Sequence, residues 1–345
     1  MSNIEKHKLT EARLYKTDEY NVVICQLCGH RCRIKPDKLG ICNVRQNIDG
    51  KLYTLVYGQS IAQQTDPIEK KPLFHFYPGT KSYSIATVGC NYRCSWCQNW
   101  HIAHLPKDQP LPTNIDVSPA EIVSSAKHSN CRSIAYTYTE PTIFFEYAYD
   151  TARLAHEAGL ANIYVTNGFM TAEMLDAFHP YLDAANVDLK SFDDKIYKKY
   201  CGARLQPVLD NLKHMNKLGI WLEITTLVIP DLNDDPEELR DIASFIANEL
   251  GKDTPWHISR FFPQHKMTDR PPTPIQTLEN AMEIGQSVGL NYIYVGNVRG
   301  GNGENTRCPD CGKTLINRSG YTIIKNHIQN GKCPDCHYII AGVGL

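Results

Sequence analysis

Residues 83–100 read YSIATVGCNYRCSWCQNW. The first part, Tyr83–Val88, is rich in β-branched and aromatic residues, the composition of a strand covered on both faces. Gly89 permits a sharp turn, and Cys90, Cys94 and Cys97 follow at C-x3-C-x2-C spacing. Three thiolates this close can wrap one corner of an iron–sulfur cluster, each on one iron. A 4Fe–4S cluster held by three cysteines keeps one iron open, and an open metal position is a reactive one. Trp96, just before the last cysteine, can lie against such a cluster or a bound adenine.

Outward from this segment, the chain alternates strand-like runs with helical stretches to about residue 298. After Tyr83–Val88 the runs are Ser133–Thr139, Asn162–Thr166, Ala185–Lys190, Trp221–Ile229, His257–Phe262 and Asn291–Val295. The helical stretches are Ser118–Lys127, Ile143–Glu157, Ala172–Phe178, Gln206–Lys217, Pro236–Leu250 and Ile275–Ser287. Ser118-Pro119 is an N-cap with proline at the first helical position, and Gly159, Gly219, Gly251 and Gly289 each follow a helical stretch. Regular alternation of β and α predicts parallel strands with crossover helices. The fold class is α/β: a β/α barrel, partial or closed, with the cysteine loop at the strand ends where such barrels place their chemistry. No GxGxxG or GxxxxGK[ST] follows a strand, so neither a dinucleotide fold nor a P-loop is supported.

The chain has 345 residues, 36 Lys+Arg and 37 Asp+Glu, for a net charge of −1. That balance argues against nucleic acid and anionic membranes as partners, although Arg31–Lys38 carries four basic residues in what reads as a solvated loop. No apolar run reaches the ~18 residues of a membrane span, and the opening MSNIEKHKLT lacks a signal-peptide core, which together predict a cytoplasmic protein. Of 13 cysteines, eleven fall in three tight clusters. Reduced thiols in clusters point to metals rather than disulfides.

The clusters divide the chain into an N-terminal Cys-rich segment (1–75), a barrel (76–299) and a small C-terminal module (300–345). The first holds Cys25, Cys28, Cys32 and Cys42 at C-x2-C-x3-C-x9-C, a set able to close a metal completely. Zinc is the first reading and a 4Fe–4S cluster the second, with His30 as a substitute ligand. The last holds Cys308, Cys311, Cys333 and Cys336, two C-x2-C knuckles that read as a zinc ribbon. So short a module needs a metal to fold; an auxiliary iron–sulfur cluster and a partner-docking role are the alternatives. Cys131 and Cys201 read as ordinary buried thiols.

The C-x3-C-x-aromatic-C pattern of Cys90, Cys94, Trp96 and Cys97 resembles the signature of the radical S-adenosylmethionine (SAM) superfamily. The resemblance implies that SAM chelates the open iron and is cleaved by an electron from a low-potential donor. The 5′-deoxyadenosyl radical so formed would abstract hydrogen from a substrate. YTYTEPT (136–142) resembles the family's Gly-Gly-Glu-Pro segment at Glu140-Pro141, with Tyr138-Thr139 in place of the glycines. VTNGF and NVDLKSF look like the corresponding strand ends of pyruvate formate-lyase activating enzymes, which makes Asn167, Asp188 and Lys190 SAM-binding candidates. His265, in RFFPQH, aligns with a SAM-contacting histidine of those enzymes, and His257 competes for that role. With both flanking clusters included, nearly the whole chain resembles the radical SAM enzymes of the AmmeMemoRadiSam system, relatives of those activating enzymes. The function implied is that of an oxidoreductase acting on a protein or peptide, as a glycyl-radical activase does. RNA or a small metabolite as substrate, and a non-enzymatic zinc scaffold, are the competing readings.

Overall fold

The computed structural model describes residues 9–106, 111, 115–298, 300–301 and 303–345. The start of the lead-in (1–8), Arg299 at the end of the barrel and Asn302 in the following linker lie outside the described residues. The core is an eight-stranded sheet: β1 (Ala62–Pro67), β2 (Lys81–Ala86), β3 (Ser133–Tyr136), β4 (Ala161–Thr166), β5 (Ala184–Asp188), β6 (Trp221–Val228), β7 (Trp256–Arg260) and β8 (Ile293–Gly296). Spatial order follows chain order, with β1 and β8 at the two edges, so the barrel is open. Strands β2 to β8 run parallel, and β1 pairs antiparallel with β2. Because the order never reverses, all seven parallel strands end at one rim.

All seven predicted runs form strands, with ends shifted by up to three residues. Their composition explains why: every residue of β3 (SIAY) is buried, and β5 is buried except at Asp188. Strand β1 was not anticipated. Its sequence, AQQTDP, is polar, and its pairing to β2 on one side only lets half of it face water.

The crossover helices are α1 (Pro119–His128), α2 (Phe145–Glu157), α3 (Ala172–Phe178), α4 (Gln206–Lys217), α5 (Pro236–Phe245) and α6 (Ile275–Val288). Ser118 and Glu121 cap α1 reciprocally, an arrangement that contributes about 1 kcal/mol. Two predicted helices are interrupted: a 3₁₀ turn over Pro141–Phe144 precedes α2, and a π turn over Ile246–Leu250 follows α5.

Before β1, two three-stranded antiparallel sheets carry the first cysteine cluster. They share the barrel's apolar core through Val23, Leu27 and Val44. A buried Arg45–Glu146 pair (2.8 and 2.9 Å) fixes them to α2, and Gly29 N–H donates to the Phe169 carbonyl (2.8 Å). Beyond β8, a three-stranded antiparallel sheet docks through a separate cluster that includes Phe74, Tyr292, Tyr294, Leu315 and Ile316. Arg318, fully buried, lies over the Phe74 ring at 4.2 Å. Among the described residues, no helix is long and apolar enough to cross a membrane.

Candidate functional site

The C-terminal ends of the parallel strands open into a cleft of roughly 540 Å³, within the ordinary range of small-ligand sites. Its wall includes Cys90, Cys94 and Cys97 after β2, Glu140 after β3, Asn167 after β4, Asp188 at the end of β5 and Lys190 just past it. Trp96 lines it too and is buried against Tyr200 (ring centroids 6.3 Å). Of the candidates for this site, His265 and its competitor His257 are the ones the structure does not bring to the wall.

Gly89 sets the cysteine loop. Its φ is +97°, and a Cβ there would stand 2.7 Å from Val44 Cγ1 and 2.9 Å from the Cys42 carbonyl oxygen. The loop can therefore press against the Cys-rich segment as it leaves β2. Backbone N–H groups of Arg93 and Ser95 donate to the carbonyls of Cys201 and Tyr200, and Lys266 N–H donates to the Ser95 carbonyl. Cys201, read from sequence as an ordinary buried thiol, is buried and supports the motif through its backbone carbonyl.

Glu140 is 2% exposed and collects four donors. Thr142 N–H (3.1 Å), Thr142 Oγ1 (2.6 Å) and Thr166 Oγ1 (2.7 Å) meet Oε1, while Asn167 N–H (2.8 Å) meets Oε2. Oε2 keeps unused acceptor capacity. Burial pushes the carboxyl above its usual range, despite these bonds. A ligand ammonium would favour its ionised form.

Asp188 and Lys190 form an ion pair (2.8 Å) at the cleft wall. Burial works against the lysine's charge, but the carboxylate and nearby thiols outweigh it and hold its pKa well above the ordinary value. The internal ion pair and the cleft position therefore coexist. Asp188 is 39% exposed and free to accept further hydrogen bonds.

The sequence reading missed a cationic lip on the same cleft. Lys70 and Lys71 line it and bind the two oxygens of Asp66 (2.8 and 2.6 Å), which Ser84 and Tyr138 also reach. Tyr138 adopts φ +62°, a left-handed conformation suited to the glycine it replaces. The one signal in the sequence was that departure from Gly-Gly. Tyr321, from the C-terminal sheet, completes the wall.

His265 stacks on Trp100 (5.1 Å between centroids) and lies 3.4 Å from His104. The loop that carries it runs beside the cysteine loop instead of into the cleft. His257 is inside the barrel, Nε2 2.7 Å from Glu223, in a buried pair.

The three thiols fit a cluster with an open iron. They share one cleft with a carboxylate, an ion pair and the buried Tyr92 hydroxyl, which has no hydrogen-bond partner among the described residues. The C-terminal cysteines fit a single ion. Cys308 and Cys336 sulfurs are 3.4 Å apart, Cys311 and Cys333 3.6 Å, and all four lie within 4.8 Å of one another. Four sulfurs tetrahedral about one ion at ~2.3 Å would be ~3.8 Å apart. Cys25, Cys28, Cys32 and Cys42 surround a small, partly open cavity with Arg45 and Asn91. His30 lines it but donates Nε2–H to the Asn91 carbonyl (2.8 Å). No disulfide joins any described cysteines.

The profile described as "Radical SAM superfamily" matches residues 84–246, from β2 through α5. The Methanocaldococcus jannaschii "Uncharacterized protein MJ0808" is 46% identical over 330 residues, covering 95% of this chain and 98% of its own. The pyruvate formate-lyase-activating enzyme of Clostridium pasteurianum is 25% identical over 50% of this chain and 71% of its own. A "Probable GTP 3',8-cyclase" of Thermococcus kodakarensis is 27% identical over 49% of this chain and 54% of its own. In fold, the crystal structure of a radical SAM methyltransferase from Sphaerobacter thermophilus matches with a TM-score of 0.51 at 15% identity, over 84% of this chain and 76% of that one. With that profile over the cleft-forming strands, and activating enzymes and cyclases among its relatives, the chain belongs to the radical SAM superfamily.

Proposed function

We propose that the protein is a radical SAM oxidoreductase that acts on a protein or peptide, as glycyl-radical activases do. The carrying observation is the cleft itself, where Cys90, Cys94 and Cys97 share one wall with Glu140, Asn167, Asp188 and Lys190. When bound, a 4Fe–4S cluster and SAM supply reductive cleavage of the sulfonium C–S bond, giving methionine and a 5′-deoxyadenosyl radical that abstracts hydrogen. The three cysteines would hold the cluster, supplying three ligands for its four irons. Glu140 Oε2 receives the SAM ammonium, and the ion-paired Lys190 faces its carboxylate. Asp188 accepts from the ribose hydroxyls, and Trp96 packs against the cluster or the adenine. The C-terminal cysteines hold structural zinc. A low-potential donor supplies the electron.

Pyruvate formate-lyase-activating enzyme among the relatives supports a protein substrate, while GTP cyclases among them support a small molecule. The cleft's open rim and the exposed Tyr321 at its wall favour a peptide. The test is SAM cleavage by the reduced, cluster-loaded protein with a glycine-containing peptide, GTP or an RNA oligonucleotide added. Acceleration of 5′-deoxyadenosine release by the peptide is expected. Acceleration by GTP or RNA alone would overturn the protein-substrate reading.

A further inference from the structure

We propose that Cys25, Cys28, Cys32 and Cys42 hold a second iron–sulfur cluster, with the Arg45 Nε–H and the Asn91 side-chain amide as hydrogen-bond donors to its sulfurs. The site stands on its own residues and does not depend on what the Cys90 loop binds.

The first argument is the size of the cage. The four thiols wall a small, partly open cavity that is just wide enough for a water-sized sphere. A tetrathiolate zinc site leaves no such room, because each sulfur sits at ~2.3 Å from the ion. Among the described residues, the C-terminal set is the group whose ligand atoms crowd within 4.8 Å of one another. A four-iron core stands between its thiolates and holds them farther apart than one ion does, which matches the wider cage.

The second argument is polar and independent of the cysteines. Arg45 and Asn91 are each 1% exposed and line the cavity. Arg45 spends Nη1 and Nη2 on the two oxygens of Glu146, and its Nε–H has no partner. Asn91 accepts from Asn167 at Oδ1 (2.8 Å) and from His30 at its carbonyl, and its Nδ2 has no partner. Buried donors without acceptors are rare in native proteins. Two of them on one thiol-walled cavity call for an anionic, sulfur-rich guest. Hydrogen bonds to cluster sulfurs are also a main control of reduction potential.

The location gives the site a role. Asn91 follows Cys90 directly, and the Cys42 carbonyl packs on Gly89. These contacts put the Cys42 and Cys90 Cα atoms within roughly 11 Å of one another. The second cluster would thus sit one loop away from the first.

The decisive sample is the full chain with Cys90→Ala, Cys94→Ala and Cys97→Ala together, reconstituted anaerobically with iron and sulfide. We expect roughly four irons and four sulfides per chain, and a paramagnetic signal on reduction. Iron and sulfide near zero, with zinc at two per chain, would overturn the proposal. Equal iron in the parent and the triple variant would support this site while refuting a cluster on the Cys90 loop. In the triple background, Asn91→Leu should lower the midpoint potential of the remaining cluster. An unchanged potential would overturn the donor role of Asn91. As a check that does not rely on the triple variant's folding, Cys28→Ser/Cys42→Ser in the parent should lose about half of the iron, and full retention would overturn the site.

Discussion

Replacing Glu140 by glutamine changes a single buried carboxyl to an amide, and the donors around it dictate how the new group must sit. Three donors converge on Oε1, so the amide oxygen must take that place. The amide nitrogen then occupies the Oε2 position, where it faces the Asn167 N–H donor to donor. A charge-assisted hydrogen bond is lost and a buried N–H is left without an acceptor, which costs about 1–3 kcal/mol of stability. The same rotation turns the free acceptor of the cleft into a donor, so a ligand ammonium meets an N–H instead of a carboxylate. Losing one hydrogen bond to a charged group costs about 1.5–3 kcal/mol, or about 10- to 150-fold in affinity. The assay is equilibrium binding of SAM to the reconstituted, unreduced protein, with thermal unfolding of the same samples. Parent-like affinity in a variant that unfolds earlier would remove Glu140 from the SAM site and leave it a scaffold role alone. Parent-like stability would refute the hydrogen-bond assignment itself.

Gly89→Ala combines a left-handed φ with contacts of 2.7 and 2.9 Å to Val44 and Cys42; we expect a loss of about 2–5 kcal/mol in urea unfolding and weaker iron binding, and a stable variant would contradict the packing of the loop on the Cys-rich segment. The Lys71 ammonium is pushed down to about 8 by burial, which outweighs its Asp66 partner. The unfolded chain keeps that proton to about pH 10.4, so this group's contribution to stability rises with pH between those values. Denaturant midpoints at pH 7.5 and 10 should show that rise in the parent and a flatter slope in Lys71→Met; equal slopes would refute it. Cys333→Ala should abolish metal binding worth ~10–16 kcal/mol to the small module. Hydrogen exchange over 314–326 should then accelerate strongly, whereas unchanged protection would show that the sheet holds without its ion.

Much of the barrel could be read from the chain because strands covered on both faces are buried along their whole length, as Ser133–Tyr136 is, and so are dense in β-branched and aromatic residues. Strand β1 escaped because an antiparallel edge partner tolerates Gln63, Gln64 and Asp66. At the site, spacing announced the cysteines, and strand ends placed Glu140, Asn167, Asp188 and Lys190 on one rim. Lys70 and Lys71 belong to no motif and reach the cleft, paired with Asp66, only because β1 folds back along β2. His265 misled because nearness in sequence to a strand end does not fix which way the following loop turns. The orphan donors of Asn91 and Arg45 have no sequence signature at all, since an unmet hydrogen bond exists only in three dimensions.

The most direct measurement of the central claim is product formation. The protein, reconstituted anaerobically and given SAM and a strong reductant, should release 5′-deoxyadenosine and methionine in equal amounts, and Cys94→Ala should release neither. Iron bound by the parent with no SAM cleavage under any reductant, or cleavage that persists in Cys94→Ala, would contradict a radical SAM site at Cys90, Cys94 and Cys97.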